Sequence, residues 1–299
     1  MPTSELVILL NEGAGRGEAG RAEAALRTQV AASGLRARVV AVSGAPIERC
    51  AVEVVRDTRA ATPVAAGGDG TVRAVATAVA GTGRPFGIVP LGTRNHFARD
   101  LGLPLDLEGA VAVLRRGAGR PVDAGDVNGL LFLNNASLGL YPRCVRERRL
   151  GQTRARWTAM IASAWRVARR RDRLHLRVRT SDGAERSIRA SIVLVGNNRC
   201  TLGGLDLGTR PSLSEGALSV VLAAPEGVAA KLGLVRKALL GRLEPGVDYR
   251  ELRTPRLVLE SERTRLPVAL DGEGFTLESP LTFRSRAGVL RVLAHEAAR

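Results

Sequence analysis

The sequence predicts an α/β domain, with helices on both faces of a parallel sheet, followed by an antiparallel β-sandwich domain. Three observations predict this. The chain has 299 residues, which is more than one hydrophobic core usually accommodates. Strand-like and helix-like segments alternate up to Gly125, which is typical of a parallel sheet. From Asp126 onward the apolar residues shift towards a period of two, which is typical of antiparallel strands. We therefore place the domains at 1–125 and 126–299, and leave open whether the final strand returns to the first domain.

The first domain is predicted to contain alternating strands and helices. Short apolar runs indicate strands at residues 6–10, 38–42, 63–66 and 86–90, and the segments between and after them indicate helices at 18–33, 46–57, 72–80 and 107–116. This alternation gives a parallel sheet with helices on its faces. A ligand is expected across the carboxyl ends of such strands.

The second domain is predicted to contain strands at residues 174–180, 188–195, 218–223, 256–260 and 266–270, with a hairpin turn at 181–183. Two helices interrupt these strands. One, at 153–171, places Trp157 and Trp165 at helical spacing among arginines, and the other, at 228–243, carries Lys231, Arg236, Lys237 and Arg242. Each helix either packs on the core or lies in a membrane interface and holds anionic headgroups, and the sequence leaves both open. The cleft between the domains is the default active site.

A glycine-rich turn follows the third predicted strand, and its residues are Gly67, Gly68, Asp69, Gly70 and Thr71. Glycines let the backbone come close to a ligand, and the amides that begin the next helix favour an anion. This layout predicts a phosphate-binding turn. A carboxylate repels phosphate, so Asp69 indicates a cation or a transferring phosphoryl group beside it. The alternative is a plain strand-to-helix turn in which Asp69 caps the helix.

A second glycine turn, LGTRNHFARDLG at residues 91–102, follows the fourth predicted strand. With both turns the chain resembles the diacylglycerol kinase catalytic family, which includes bacterial lipid kinases and the sphingosine and ceramide kinases. That family carries Gly-Gly-Asp-Gly-Thr and then Pro-x-Gly-Thr-x-Asn-Asp-Phe-Ala-Arg. The resemblance extends, in family order, to residues 11–15 (NEGAG), 123–139 (DAGDVNGLLFLNNASLG) and 270–273 (LDGE). It implies an enzyme that transfers the γ-phosphate of ATP, with Mg²⁺, to a hydroxyl of diacylglycerol or a similar lipid.

The resemblance also implies roles for individual residues. Glu273 corresponds to the family's catalytic base, and Asp69 and Asp123 are the candidates for organising Mg²⁺ through water, since Mg²⁺ takes few protein carboxylates. Some bacterial members hold a structural Mg²⁺ at an Asp-Gly-x-Leu segment, and this site corresponds here to Ser212, Glu215 and Ala217. The implied nucleotide-binding positions are Asn11, Ser43, Gly67, Gly68, Asp69, Gly70, Thr71, Val72, Arg73 and Thr93.

Glu215 replaces the Asp of the structural-magnesium segment, and three positions of the glycine-turn and first-strand motifs also depart from the family pattern. His96 stands where the family has Asp, and an imidazole cannot replace a carboxylate around a hard cation. Ala74 replaces the Glu that usually follows the first glycine turn, and Glu12 replaces a Pro. These departures bear on metal dependence and rate, and they raise the alternative of a catalytically weakened homologue that binds lipid or nucleotide. A third reading is a NAD kinase, since that family also uses Gly-Gly-Asp-Gly.

The charge of the chain bears on its partners. The formal net charge is +16 and the isoelectric point is near 11.4, which suits an anionic membrane or a nucleic acid. Aromatic residues make up only 3% of the sequence and do not alternate with basic residues as stacking platforms would require, so we expect no nucleic acid partner. We expect a lipid substrate in an anionic membrane and peripheral contact with that membrane. A homodimer is left open.

The sequence also predicts a location. The first apolar run covers five residues without a basic stretch before it, so it indicates a first strand rather than a secretory signal. No segment approaches the roughly 18 apolar residues of a membrane span. The cysteines, Cys50, Cys144 and Cys200, lack metal-type spacing and are expected to be free thiols. A cytoplasmic protein at the inner membrane surface is therefore expected.

Overall fold

The computed structural model describes residues 5–12, 19–42, 47–57, 61–139, 173–202 and 209–295. The chain divides into two compact units, one formed by Met1–Asp123 and Ala287–Arg299 and the other by Ala124–Arg286. The predicted helix at 153–171 and the predicted nucleotide position Ser43 lie outside the described residues. Within the described ranges, no helix is both long and apolar enough to cross a membrane.

The first unit contains a parallel sheet in the order β2-β1-β3-β4, and strand β16 follows β4 with Arg291 opposite Pro85. Strand β5 pairs with β16. The strands are β1 (Leu6–Asn11), β2 (Ala37–Val42), β3 (Thr62–Gly67), β4 (Pro85–Pro90), β5 (Ala118–Val127) and β16 (Leu281–Ala294), and β5 and β16 each continue into the second unit. The helices are α1 (Ala19–Ser33), α2 (Ile47–Arg56), α3 (Asp69–Val79), α4 (His96–Asp100) and α5 (Leu107–Arg116).

Helices cover both faces of this sheet because alternate residues of its strands point in opposite directions. Leu6, Ile8 and Leu10 of β1 are fully buried in one core with Leu26 of α1 and Leu114 of α5. Helices α2 and α3 pack against each other and against β3 from the other side. The predicted α/β class of the first domain is confirmed.

The second unit contains two mainly antiparallel sheets. One has the order β12-β11-β10-β7-β14-β15. In the other, the first part of β16 pairs with β13, β13 pairs with β8, and β8 pairs with β9, while β5 pairs with β6. The strands are β6 (Leu130–Phe132), β7 (Asn135–Gly139), β8 (Leu174–Thr180), β9 (Glu185–Ala190), β10 (Ile192–Asn197), β11 (Leu218–Ala223), β12 (Arg250–Thr254), β13 (Arg256–Ser261), β14 (Arg265–Leu270) and β15 (Glu273–Glu278), with a helix, α6 (Gly227–Leu239).

The two sheets share one hydrophobic core, as a β-sandwich requires. The rings of Phe132 and Phe283 meet edge to face within it, with centroids 6.4 Å apart. Gly125 makes room for this pair, because a Cβ at that position would overlap the ring of Phe132. The predicted antiparallel class of the second domain is confirmed.

Two predicted elements are corrected by the structure. The strand expected at 188–195 is two strands, because β9 pairs with β8 in one sheet and β10 pairs with β11 and β7 in the other. The chain changes sheets at Ser191, whose amide bonds to the carbonyl of Ala223. The helix expected at 228–243 ends at Leu239. Its end is set by Gly241, which has a left-handed φ of +66° and closes the last turn in a Schellman arrangement.

Candidate functional site

The first glycine turn joins β3 to α3. Gly68 is the N-cap of α3, with extended backbone angles (φ −88°, ψ −173°) and no side chain to cap the helix. The first amides of a helix lack partners within it, and the helix dipole makes that end partly positive. An uncapped N-terminus of an 11-residue helix is therefore suited to an anionic ligand.

Asn11, at the end of β1, is tied to this turn. Its side-chain amide donates to the hydroxyl of Thr71 at 3.1 Å. Thr71 in turn leaves no space above Gly67, where a Cβ would overlap the threonine hydroxyl. The structure thus brings together three residues that the sequence predicted as nucleotide positions, at the carboxyl ends of β1 and β3.

The second glycine turn packs against the first. The amide of Leu91 donates to the carbonyl of Gly67 at 3.0 Å, and a Cβ on Gly92 would lie only 2.5 Å from the Cα of Gly68. Asn95 closes the second turn: its side chain accepts from the amide of Gly92 at 3.0 Å and donates to the carbonyl of Gly92 at 2.8 Å. Asn95 is buried and left-handed (φ +51°). The predicted site did not include it, although its place in the Gly-Thr-x-Asn motif was a signal.

Asp69 connects the two turns through its side chain. Its Oδ1 accepts from the amide of Phe97 at 3.2 Å, so it caps α4 rather than α3. A carboxylate has several acceptor positions, and this contact uses one of them. His96, which begins α4, is exposed.

The remaining predicted residues of the first unit differ in their surroundings. Val72 and Arg73 are buried in the first turns of α3, whereas Thr93 is exposed. Asp123 is only 2% exposed, and its Oδ1 accepts from the amide of Gly288 on β16 at 2.8 Å. This hydrogen bond ties Asp123 to β16.

The donor set of the first unit fits a nucleotide phosphate better than an all-protein metal site. The two glycine turns are in backbone contact, with no room for a side chain on Gly92, beside an uncapped helix N-terminus. Among the described residues, no group of three or more His, Cys, Asp or Glu side chains could hold a metal ion. Mg²⁺ usually takes one or two carboxylates together with phosphate oxygens and water, so Asp69 alone is consistent with a metal bound through the nucleotide.

The second unit presents Glu273, the predicted base, directly after a tight turn. Asp271 and Gly272 form a two-residue hairpin loop with positive φ values of 48° and 83°, and Glu273 pairs with Leu270 across it. Glu273 is half-buried as the first residue of β15. Its position depends on the geometry of this turn.

Asp271 fixes the turn through three backbone hydrogen bonds. Its carboxylate accepts from the amides of Leu133, Asn134 and Asn135 at 2.8, 2.7 and 3.1 Å. These bonds join Asp271 to the start of β7, which lies 136 to 138 positions earlier in the chain. No role was predicted for Asp271, although it lies in the Asp-Gly-Glu motif.

Arg210 holds the same segment from another direction. It is 5% exposed and donates to the carbonyl of Leu133 and, at 2.8 Å, to the side-chain oxygen of Asn134. Asn197 donates to the carbonyl of Leu133 as well, at 2.9 Å. The link between β6 and β7 is therefore fixed by buried polar groups, which no sequence motif indicated.

The segment predicted as a structural magnesium site fits an ion pair better than a cation. The Glu215 carboxylate pairs with Arg253, and the carbonyl of Ala217 accepts from the amide of Asn198 at 3.1 Å. The hydroxyl of Ser212 accepts from the amide of Ser214 at 3.3 Å. A cation here would have to compete with the guanidinium for the only carboxylate of the three predicted ligands.

Comparison with known proteins agrees with these features. The sequence model of the diacylglycerol kinase catalytic domain matches residues 5–127. A probable lipid kinase YegS-like protein of Pseudomonas savastanoi pv. phaseolicola is 34% identical over 242 residues, which cover 77% of this chain and 74% of the relative. The diacylglycerol kinase of Bacillus subtilis is 46% identical over 79 residues, covering 25% of this chain and 26% of that protein.

A solved structure gives the same fold over the whole chain. It is described as a diacylglycerol kinase from Bacillus anthracis str. Sterne, and it matches with a TM-score of 0.71 at 19% identity, covering 99% of this chain and 98% of the other. Identity at this level bears on the fold alone, whereas the Pseudomonas relative bears on the family. The chain belongs to the family of lipid kinases that carry the diacylglycerol kinase catalytic domain.

Proposed function

We propose that this protein transfers the γ-phosphate of ATP to a hydroxyl of diacylglycerol or a similar lipid. The observation that carries the proposal is the close contact of the two glycine turns, Gly68 against Gly92, beside the uncapped N-terminus of α3. Such an arrangement suits a chain of phosphates. The name of the Bacillus subtilis relative supports diacylglycerol as the acceptor.

The chain's own residues have separate tasks in this proposal. Amides at the start of α3 and in the glycine turns bind phosphate oxygens and orient the nucleotide. Glu273 accepts the proton of the lipid hydroxyl as that oxygen attacks the γ-phosphorus and ADP leaves. Mg²⁺, held in part by Asp69, would neutralise charge on the phosphates.

The experiment that tests the proposal uses the purified chain with γ-labelled ATP and Mg²⁺. Diacylglycerol, sphingosine, ceramide and NAD are supplied in parallel, the lipids in mixed micelles. We expect label in diacylglycerol or a related lipid. Label in NAD alone would establish the NAD kinase reading instead, and label in none of them would contradict the proposed activity.

His96 supports a second candidate, a catalytically weakened homologue that binds lipid or nucleotide. It is exposed at the start of α4, where the family resemblance places a carboxylate. The variant His96→Asp restores that carboxylate. If the wild-type chain binds ATP but transfers no phosphate, and His96→Asp transfers it, the weakened reading is supported. If wild type and variant are equally active, His96 does not limit catalysis.

We also propose that the protein works in the cytoplasm at the inner surface of a membrane, since its substrate would reside there. The net charge of +16 suits contact with anionic lipids. Fractionation of cells, with and without high salt in the wash, tests this location.

A further inference from the structure

Exposed apolar side chains are concentrated in one short region of the second unit. Among the described residues, five large hydrophobic side chains are exposed, and four of them lie between residues 232 and 247. Their exposed fractions are 41% for Leu232, 48% for Val235, 58% for Leu240 and 75% for Val247. Isolated exposed apolar residues are ordinary, but a cluster of them indicates a surface that binds something apolar.

Helix α6 presents two different faces. Ala230, Leu234 and Lys237 line a groove of about 700 Å³ that runs between the helix, β9, β11 and the 246–250 segment. Leu232 and Val235 are three positions apart and therefore share a face. Because successive helix residues are rotated by about 100°, this face lies opposite the residues that line the groove. One face of the helix thus borders the groove, and the other exposes aliphatic side chains.

The loop that carries Val247 is held to this helix. The ammonium of Lys237 bonds to both carboxylate oxygens of Asp248 at 3.0 and 2.9 Å, and Asp248 also accepts from the amide of Glu244 at 2.9 Å. Val247 lines the same groove as Lys237. Val247 therefore lies on the groove side of α6, whereas Leu232 and Val235 lie on the side turned away from the groove.

Basic residues flank these aliphatic groups. Both lysines of the chain, Lys231 and Lys237, lie on α6, and Arg236 and Arg242 are exposed at and just beyond its last turn. Basic residues around an apolar strip are typical of helices that lie in the headgroup region of an anionic bilayer. A second copy of this basic chain would meet like charges at this surface, which disfavours self-association.

We propose that the outward face of helix α6, which carries Leu232 and Val235 and is called the docking face here, binds the surface of an anionic lipid bilayer together with Arg236 and Arg242. Leu232 and Val235 enter the boundary between headgroups and acyl chains, while Arg236 and Arg242 contact lipid phosphates. The inference deepens the proposed function and rests on it for the biological role of the contact, because a lipid kinase must reach a substrate in a bilayer.

The test measures flotation of the full chain with vesicles. One set contains phosphatidylcholine alone, and the other contains equal parts of phosphatidylcholine and phosphatidylglycerol. We expect recovery with the anionic set only, and lower recovery at high salt because exposed charges are screened. Since a basic residue near the surface contributes about 1 kcal/mol, Arg236→Glu should weaken binding at least fivefold.

Matched variants separate the docking face from general effects. Leu232→Ser with Val235→Ser removes exposed aliphatic surface without touching the core, and Leu105→Ser does the same at an exposed leucine of the first unit. For charge, Arg263→Glu is the control for Arg236→Glu, because both arginines are exposed. We expect the docking-face variants to lose recovery and both controls to keep it. Circular dichroism of every variant checks that it is folded.

Two outcomes would overturn the inference. Equal recovery of wild type and docking-face variants would exclude this face as the lipid contact. The second outcome is that wild type does not bind vesicles but forms a dimer on size-exclusion chromatography, and that the variant with Leu232→Ser and Val235→Ser is a monomer. The face would then be a self-association surface.

A second measurement separates this inference from the proposed function. Each variant is assayed for phosphorylation of a long-chain diacylglycerol in anionic vesicles and of a short-chain, water-soluble diacylglycerol. We expect the docking-face variants to lose only the first activity. Vesicle binding by a wild-type chain that phosphorylates neither lipid would leave the docking face supported and contradict the kinase proposal alone.

Discussion

Gly68 and Gly92 meet backbone to backbone, so that a Cβ on Gly92 would lie 2.5 Å from the Cα of Gly68 and 2.7 Å from Oδ1 of Asn95. The two turns are separate motifs in the sequence, but they pack together at the carboxyl ends of the neighbouring strands β3 and β4. The contact between the two turns, which the proposed phosphate site requires, therefore depends on the absence of a side chain at Gly92. This requirement is distinct from any contact with a ligand.

The variant Gly92→Ala should destabilise the first unit. Its new methyl group overlaps Gly68 and Asn95, and overpacking of this kind costs about 1–3 kcal/mol. Urea unfolding measures the loss. Gly68→Ala is the matched control, because its methyl group would lie 3.4 Å from the Cα of Gly92 and its φ of −88° suits any residue.

Gly68→Ala also isolates the ligand contribution. Loss of a favourable N-cap residue costs roughly 1 kcal/mol at most, so the variant should remain folded. If phosphates approach the backbone at Gly68, ATP affinity measured by calorimetry should fall clearly more than stability does. ATP affinity equal to that of wild type would move the nucleotide away from this turn.

Asp271 is predicted to hold the turn that presents Glu273. Asparagine tolerates the left-handed backbone at this position, but Asp271→Asn replaces one carboxylate oxygen by an NH2 group. Three backbone amides that donate to the wild-type carboxylate would then have a single acceptor oxygen. A buried donor left without its acceptor costs about 1–3 kcal/mol. Urea unfolding should therefore show a clear loss, while Asp182→Asn, in the exposed turn between β8 and β9, should have little effect. Equal stability of both variants would exclude Asp271 as the fixing residue.

The sequence predicted those parts of the molecule that depend on local pattern. The alternation of strands and helices and the two glycine turns predicted the fold of the first unit, because the apolar period and the turn residues depend on only a few neighbouring positions. The break at Ser191 was missed, since no glycine or proline marks the point where the chain changes sheets. The ties made by Asp271 and Arg210 were missed too, because they join residues 76 to 138 positions apart. Contacts of that range depend on the whole fold.

The pair Lys237 and Asp248 predicts a pH dependence of stability. Hydrogen bonds from the amide of Glu244 and from Lys237 hold the pKa of Asp248 below its usual range, and Asp248 raises the pKa of Lys237. The aspartate contribution is thus complete above its usual pKa of about 3.9 and is lost as the pH falls through the lowered value. The lysine contribution is complete below its usual pKa of about 10.4 and is lost as the pH rises through the raised value.

Asp248→Asn should therefore lower the free energy of unfolding at neutral pH, and its difference from wild type should shrink in acid. Denaturant unfolding of both proteins at a series of pH values measures this difference. Glu262→Gln, an exposed carboxylate between β13 and β14, is the control and should show little difference at any pH. A difference between wild type and Asp248→Asn that stays constant into acid would contradict the ion pair.

Glu273 and Glu278 begin and end the same strand, β15, and this gives the proposed base a matched control. Glu273→Gln keeps the shape of the side chain and removes the proton acceptor. If Glu273 accepts the proton of the lipid hydroxyl, kcat should fall by roughly 10²- to 10⁴-fold while ATP affinity stays close to that of wild type. Glu278→Gln loses only an exposed pairing with Arg265, so its kcat should be unchanged.

Steady-state kinetics with the accepted lipid measures kcat, and calorimetry measures ATP affinity, so the two effects are separated. Wild-type turnover in Glu273→Gln would remove Glu273 as the base, and an equal loss in both variants would point to damage of β15 rather than to chemistry.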